Sequence, residues 1–148
     1  MISSIFILVF SVVLFVYWFR YTCVLILRSK SPRDYAARVV EANQLSYPSV
    51  ESRLSEEGWD NEMGQLLFSL KRDYRLLSYL LQHGADINVG GSTLEQRMLM
   101  IDFKIMQVWC MVSRCLSPVL SRAALREMAQ VLDNFANAMG ERVASTAD

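Results

Sequence analysis

Residues 61–83, NEMGQLLFSLKRDYRLLSYLLQH, decide the fold class because their apolar side chains recur with the period of an α-helix. The intervals are four, three, four, three and four residues, along the series Met63, Leu67, Leu70, Tyr74, Leu77 and Leu81. A helix keeps such a series on one face over about five turns, which a strand cannot do. A second row widens this face and consists of Leu66, Leu76 and Leu80. The stretch therefore predicts a long amphipathic helix whose apolar face packs in a core.

Two later stretches repeat this alternation and predict two further long helices, separated by a loop over residues 117–121. The apolar series of the first is Leu94, Met98, Ile101, Ile105, Val108, Val112 and Cys115. The series of the second is Leu125, Met128, Leu132, Phe135, Met139 and Val143. Helices that each carry a broad apolar face pack lengthwise against one another. No useful strand alternation occurs in the body, so we predict that residues 31–148 form an all-α antiparallel bundle.

Two shorter helices are expected to complete this bundle ahead of the long ones. The first begins at Ser31 and Pro32, which suit the cap and the first turn of a helix, and extends to about Gln44. The second starts near Pro48 and stops at Gly58, since glycine commonly ends a helix. The bundle is thus expected to contain three long and two short helices.

The amino-terminal residues 5–19, IFILVFSVVLFVYWF, contain no charge and predict a membrane-spanning helix. Alone they span about 22 Å at 1.5 Å per residue, less than the roughly 30 Å of a bilayer's hydrocarbon core. A helix over residues 2–27 crosses with a tilt if Arg20 extends its guanidinium toward the headgroups. Tyr17 and Trp18 fit the aromatic belt of a membrane interface. We therefore expect lipid contact through this helix, with these three side chains at the interface.

The flanks of this segment predict its orientation. No basic side chain precedes it, and those at or beyond its end are Arg20, Arg28, Lys30 and Arg33. Since basic flanks stay on the cytoplasmic side, the amino terminus is expected outside and the body in the cytoplasm. A cleaved signal peptide is disfavoured because no basic residue precedes the apolar segment and no small-x-small cleavage site follows it. The predicted division is a transmembrane anchor over residues 1–30 and a cytoplasmic bundle domain over residues 31–148.

Residue types suited to catalysis or metal binding are sparse. His83 is the only histidine and lies at a predicted helix end, where a cationic imidazole favours the negative end of the helix dipole. Cys110 and Cys115 are five residues apart and point to different helix faces, so we expect buried thiols in a reducing compartment. No phosphate-binding glycine loop, paired Glu-x-x-His motif or nucleophile motif occurs. We therefore predict a non-catalytic protein with no cofactor and no metal ion.

The body is net acidic, with 12 Lys and Arg against 15 Asp and Glu from residue 31 onward. Nucleic-acid binding requires a basic face, so no nucleic-acid partner is expected. The one basic cluster of the body contains Lys71, Arg72 and Arg75 and is diluted by Asp73. It is predicted to be a solvated helix face, or a contact for anionic headgroups if that face lies near the membrane.

Three aromatic residues lie off the predicted apolar faces: Phe68, Phe103 and Trp109. Either a further helix covers them or they form an exposed anchor patch of the kind that interfaces use. Together with the basic cluster they make up the candidate interaction residues, which are Phe68, Lys71, Arg72, Arg75, Phe103 and Trp109.

A membrane anchor joined to a bundle without catalytic or metal-binding motifs favours a single-pass membrane scaffold or accessory subunit that binds another membrane protein. The short segment after Arg28 is expected to hold the bundle at the bilayer surface. Two alternatives remain open. One is a self-associating structural protein in which the apolar faces that begin at Leu94 and Leu125 pair between chains. The other is a sensor or carrier of an apolar ligand, which methionines such as Met98 and Met128 would accommodate.

Overall fold

The computed structural model describes residues 2–29, 35–83 and 94–146, which contain six α-helices and no strand. The helices are α1 (Ile2–Arg28), α2 (Ala36–Asn43), α3 (Tyr47–Leu54), α4 (Trp59–His83), α5 (Leu94–Ser113) and α6 (Pro118–Thr146). The chain divides into two compact units, Met1–Lys30 and Ser31–Asp148. The predicted all-α fold, with one long apolar helix followed by three long and two short helices, is confirmed.

Helix α1 makes up nearly all of the first unit. Its 27 residues correspond to about 40 Å at 1.5 Å per residue, more than the roughly 30 Å of a bilayer's hydrocarbon core. Most of its apolar side chains are exposed, including Tyr17 and Trp18 near its middle, whereas Cys23 is buried. The hydroxyl of Thr22 donates a hydrogen bond to the Trp18 carbonyl at 2.9 Å, which satisfies that polar group within the helix. By length and composition α1 can span a membrane.

Helix α6 lies at the centre of the second unit, because α2, α3, α4 and α5 all pack against it. Three of its alanines, Ala124, Ala129 and Ala136, are buried and leave room for neighbouring helices to approach. The largest fully buried side chains come from several helices and include Leu54, Leu70, Leu77, Leu99, Phe103, Leu125, Met128, Leu132 and Phe135. One apolar core therefore joins α3, α4, α5 and α6, and α2 packs against α6 with Ala36 and Val39 buried.

The apolar faces predicted for α4 and α6 point into this core. The buried positions of α4 include Met63, Leu66, Leu70, Leu77 and Leu81, and those of α6 include Leu125, Met128, Leu132 and Phe135. The exceptions lie at the edges of the predicted faces: Leu76 and Val143 are exposed. On both helices the regular apolar series faces the core, as the spacing predicted.

The apolar face predicted for α5 is oriented the other way, and that prediction was wrong. Leu94, Ile101, Ile105, Val108 and Val112 are 38 to 75% exposed, whereas the helix buries a different series: Gln96, Leu99, Asp102, Phe103, Met106, Cys110 and Ser113. The buried face contains polar groups that find partners inside, since Gln96 accepts a hydrogen bond from Arg142 and the Ser113 and Ser121 hydroxyls lie 3.1 Å apart. These partners, together with Phe103, decide which face turns inward.

The short helices begin where side chains of the long helices accept their first amide protons. For α2, the amides of Tyr35 and Ala36 each donate to Oδ1 of Asn137 on α6 at 2.9 Å. The helix thus begins at Ala36 rather than near Ser31; residues 31–34 lie outside the described part. It ends at Asn43, close to the predicted end, and the residue that follows it, Gln44, has a φ of 50°. A cap from another helix brings the start of α2 onto α6.

Close packing of α2 on α6 also depends on Gly140. A Cβ at this position would overlap the Cβ of Tyr35, so only glycine allows the two backbones to approach this closely. Helix α3 ends at Leu54, earlier than expected, and Gly58 with a φ of 88° precedes α4.

The two connections between the long helices differ from each other. The connection between α4 and α5, residues 84–93, lies outside the described part. Beside it, Arg142 of α6 donates to the Leu81 carbonyl at 3.1 Å and to Gln96 Oε1 at 2.8 Å, which joins the ends of three helices. The expected loop over residues 117–121 is wrong, because α6 already begins at Pro118. Proline at the first helical position needs no amide partner.

Candidate functional site

Four of the six candidate interaction residues lie together on the solvent side of α4. They line an open depression of about 480 Å³ with two further side chains of the same helix; the six are Phe68, Lys71, Arg72, Arg75, Leu76 and Tyr79. We call this surface the α4 outer face. Because one helix supplies every wall, it is a shallow groove on the surface and not an enclosed ligand cavity.

The position of this groove follows from the helical period of α4. Residues Leu70 and Leu77 are fully buried against the rest of the bundle, and the groove residues project from the opposite side of the helix. Phe68 is 72% exposed and Tyr79 is 59% exposed, so two large aromatic side chains face solvent. Exposed aromatic side chains of this size are typical of surfaces that bind partners.

Asp73 is withdrawn from the surface of the basic cluster but stays paired with one of its cations, because its Oδ1 lies 3.3 Å from Nη2 of Arg72. It is only 1% exposed, because it turns toward α3. Its Oδ2 accepts hydrogen bonds from the amides of Ser46 and Tyr47, the latter at 2.8 Å, and so caps the start of α3. Between Gly64 and His83 it is the only carboxylate in the sequence. The exposed charged side chains of α4 over this range are therefore all cations.

The three cations of the groove differ in how they are held. The Nη2 atom of Arg72 donates to Ser46 Oγ at 2.6 Å and lies 3.3 Å from Asp73 Oδ1, so this guanidinium is drawn toward α3. Lys71 and Arg75 lie one position before and three positions after it on the same helix. Contacts with Ser46 and Asp73 thus hold the Arg72 guanidinium near the start of α3, whereas Lys71 and Arg75 line the groove.

Two stacked aromatic rings, those of Tyr79 and His83, lie at the carboxyl end of the groove. Tyr79 and His83 stack with their ring centroids 4.0 Å apart, and His83 Nδ1 lies 3.0 Å from the Tyr79 carbonyl oxygen. A carbonyl can only accept, so Nδ1 carries the proton in this contact. His83 is the last residue of α4, as the sequence predicted, and its ring supports Tyr79.

The acidic side chains of the body are concentrated elsewhere. Around α3 and the first turn of α4 lie Glu51, Glu56, Glu57, Asp60 and Glu62. Arg53 lies 3.6 Å from Glu56 and 3.8 Å from Glu62. Since these acids account for much of the body's negative charge, the overall acidity does not describe the α4 outer face.

Two of the six candidate residues do not belong to this site. Phe103 is fully buried in the core, where its ring stacks on that of Tyr74 with centroids 4.2 Å apart. Trp109 is partly exposed but lies on α5. Assigning Phe103 to an interaction surface was therefore wrong. Phe103 lay off the predicted apolar face of α5 because the helix buries a different face from the predicted one.

Two groove residues were missed, although the sequence contains a signal for one of them. Phe68, Arg72, Arg75 and Tyr79 follow one another at intervals of four, three and four residues. This series runs parallel to the buried apolar series of α4, so the same periodicity defines an outer face. Leu76 had instead been assigned to the edge of the core.

The cysteines of the body have different environments. Burial raises the pKa of the Cys110 thiol, and the nearby Arg114 opposes this shift. Cys115 is exposed, so the expectation that it would be buried was wrong. Over residues 2–29, 35–83 and 94–146, no three His, Cys, Asp or Glu side chains are grouped in a way that could hold a metal ion. Comparison with protein-family models, curated proteins and solved structures found no match to this chain.

Proposed function

We propose that this protein is a single-pass membrane scaffold or accessory subunit that binds another membrane protein through the α4 outer face. In this proposal α1 crosses the bilayer with its amino terminus outside, and the helical bundle lies in the cytoplasm. The protein performs no chemistry of its own. The observation that carries the proposal is the cationic and aromatic surface of α4, from which the only nearby carboxylate is withdrawn into the structure.

The anchor and the connecting segment support the first part of the proposal. Basic side chains follow the apolar segment closely, which favours a cytoplasmic body. Seven residues, 29–35, separate α1 from α2, more than the sequence predicted. Even fully extended they reach roughly 25 Å at about 3.5 Å per residue. A body so tethered meets other membrane proteins at high effective concentration.

The chemistry of the α4 outer face supports the second part. Phe68 and Tyr79 offer aromatic area with few rotatable bonds, and Lys71 and Arg75 offer positive charge at the same surface. Aromatic and arginine side chains contribute most of the binding energy in many interfaces. The matching partner surface is acidic with an apolar centre, since opposite charges speed association and fix orientation.

Photo-crosslinking in the native membrane tests this proposal. A benzoylphenylalanine that replaces Phe68 should form an adduct with an integral membrane protein, and the crosslinked peptide of that protein should be acidic. The double variant K71E/R75E should lose the adduct, whereas R38E/R126E, which changes the charge equally at exposed positions on α2 and α6, should retain it. Adducts with lipid alone, or no adduct, would contradict the proposal, as would a purified complex that contains only this chain as a monomer.

A further inference from the structure

Helix α5 (Leu94–Ser113) exposes most of a heptad series, in which Met98 is half-buried and Cys115 continues the spacing beyond the end of the helix. The intervals of four and three residues along Leu94, Met98, Ile101, Ile105, Val108, Val112 and Cys115 are those of alternating d and a positions in a coiled coil. In the bundle this series lies outside: Leu94, Val108 and Cys115 are exposed. A solvent-exposed series of three heptads is the surface that a second helix requires for knobs-into-holes packing.

The exposed apolar area on α5 is as large as the area that one partner buries in a stable protein complex. The large apolar side chains on and beside this series are Leu94, Ile101, Ile105, Val108, Trp109, Met111, Val112 and Leu116, with exposed fractions of 38 to 75%. If a fully exposed large side chain presents roughly 150 to 250 Å², these fractions amount to roughly 800 Å². Stable complexes bury about 800 Å² on each partner. Covering this surface with one further helix and its flanks therefore provides a standard interface.

We propose that this surface is the interface of a parallel homodimer, in which α5 pairs in register with α5 of a second copy. The a positions carry Met98, Ile105 and Val112; two of the three are β-branched, and β-branched residues at a favour two-stranded parallel coiled coils. The seam faces away from the buried side of α5, so the fold of each bundle stays intact. We call this surface the α5 seam; it shares no residue with the α4 outer face, so either proposal can fail without the other.

The flanking positions specify the parallel arrangement. Lys104 occupies a g position, and five residues later Trp109 occupies the following e position. In a parallel pair Lys104 lies against Trp109 of the partner subunit, where an ammonium stacked on an indole is stabilising. In an antiparallel pair the g positions would face each other and bring the cations Arg97 and Lys104 of the two copies together. Like charges at this distance disfavour that arrangement.

The mass of the purified full chain in detergent micelles is the first test. The wild-type chain should form a dimer with twice its mass of 17.0 kDa. The variant V108K places a charge in the seam and should weaken the dimer roughly tenfold or more. The control V143K makes the same substitution at a residue of α6 with nearly the same exposure, 59% against 60%, and should leave the dimer unchanged. Helix content by circular dichroism should be the same in all three, because both valines are exposed. K104Q, which removes the ammonium, should weaken the dimer about two- to five-fold.

Crosslinking identifies what covers the seam. In vesicles of phosphatidylcholine and phosphatidylglycerol, a benzoylphenylalanine at position 108 should yield a chain-to-chain adduct, and one at the exposed position 126 of α6 should not. A monomeric wild-type chain, an adduct of position 108 with lipid in place of protein, or equal loss of the dimer in V108K and V143K would each overturn the proposal.

Discussion

Replacing Asp73 with alanine tests how the bundle positions α3. The carboxylate lies on α4 and is 1% exposed, and it accepts the amide protons of Ser46 and Tyr47 at the start of α3. It also contacts Arg72 at 3.3 Å. The change D73A removes the acceptor and leaves the amide of Tyr47 buried, because the aromatic ring of that residue is packed in the core. Asp73 thus connects the stability of α3 with the charge of the α4 outer face.

The expected loss follows from the two contacts that are broken. Loss of a helix cap costs about 0.5 to 2 kcal/mol, and a buried amide without an acceptor costs about 1 to 3 kcal/mol. Water that enters the vacated space recovers part of this, so D73A should lower the free energy of unfolding by about 2 to 4 kcal/mol. Domains of this kind have total stabilities of roughly 5 to 15 kcal/mol. D73N keeps an oxygen acceptor and loses only the charge, so its cost should be smaller.

Urea unfolding of the full chain in detergent measures this loss. Trp59 is buried at the start of α4, with the guanidinium carbon of Arg122 4.9 Å from its ring centroid, so its fluorescence reports the body. Hydrogen exchange adds a local measurement, since the amides of Ser46 and Tyr47 should lose protection in D73A. The control D60A removes an exposed carboxylate from the first turn of the same helix and should cost at most about 1 kcal/mol.

Two results would refute this reasoning. If D73A and D60A lowered the unfolding free energy equally, the buried carboxylate would not be the cap that the geometry implies. If the exchange of the Ser46 and Tyr47 amides stayed unchanged in D73A, another group would hold the start of α3. A changed dependence on urea concentration would point instead to an altered unfolded state.

Two further predictions concern packing and pH. G140A should destabilise the body by about 1 to 3 kcal/mol because the new methyl group meets Tyr35. G64A, at an open position of α4, should instead stabilise the body by about 0.5 to 1 kcal/mol. Equal changes of the unfolding free energy of the two variants in urea would contradict the packing argument. Burial raises the pKa of Tyr74 above its ordinary value of 10.0, so the folded state keeps its proton longer than the unfolded state. The stabilisation is complete below pH 10 and is lost as the pH rises through the folded pKa, so alkaline pH should destabilise the wild type more than Y74F. Parallel curves of unfolding free energy against pH for these two proteins would refute this prediction.

The helices themselves could be predicted from local spacing. The apolar series in α4 and α6 have one regular face each, and burying that face is the arrangement that removes the most apolar area from water. Proline and glycine indicated approximate boundaries, such as Pro48 near the start of α3 and Gly58 ahead of α4. Of the candidate site, Phe68, Lys71, Arg72 and Arg75 could be grouped because they are close in sequence on one helix.

The sequence by itself determined that the chain is all-α, that a long apolar helix comes first, and where the three long helices lie, because helical periodicity and chain hydrophobicity are local properties. Only the tertiary structure decided which side of α5 is buried, since both of its faces carry apolar residues and the choice depends on Tyr74, Arg142 and Ser121 of other helices. It also decided that Asp73 and Asn137 start helices distant in sequence. These outcomes depend on contacts between residues far apart in the chain, and no local pattern encodes such contacts.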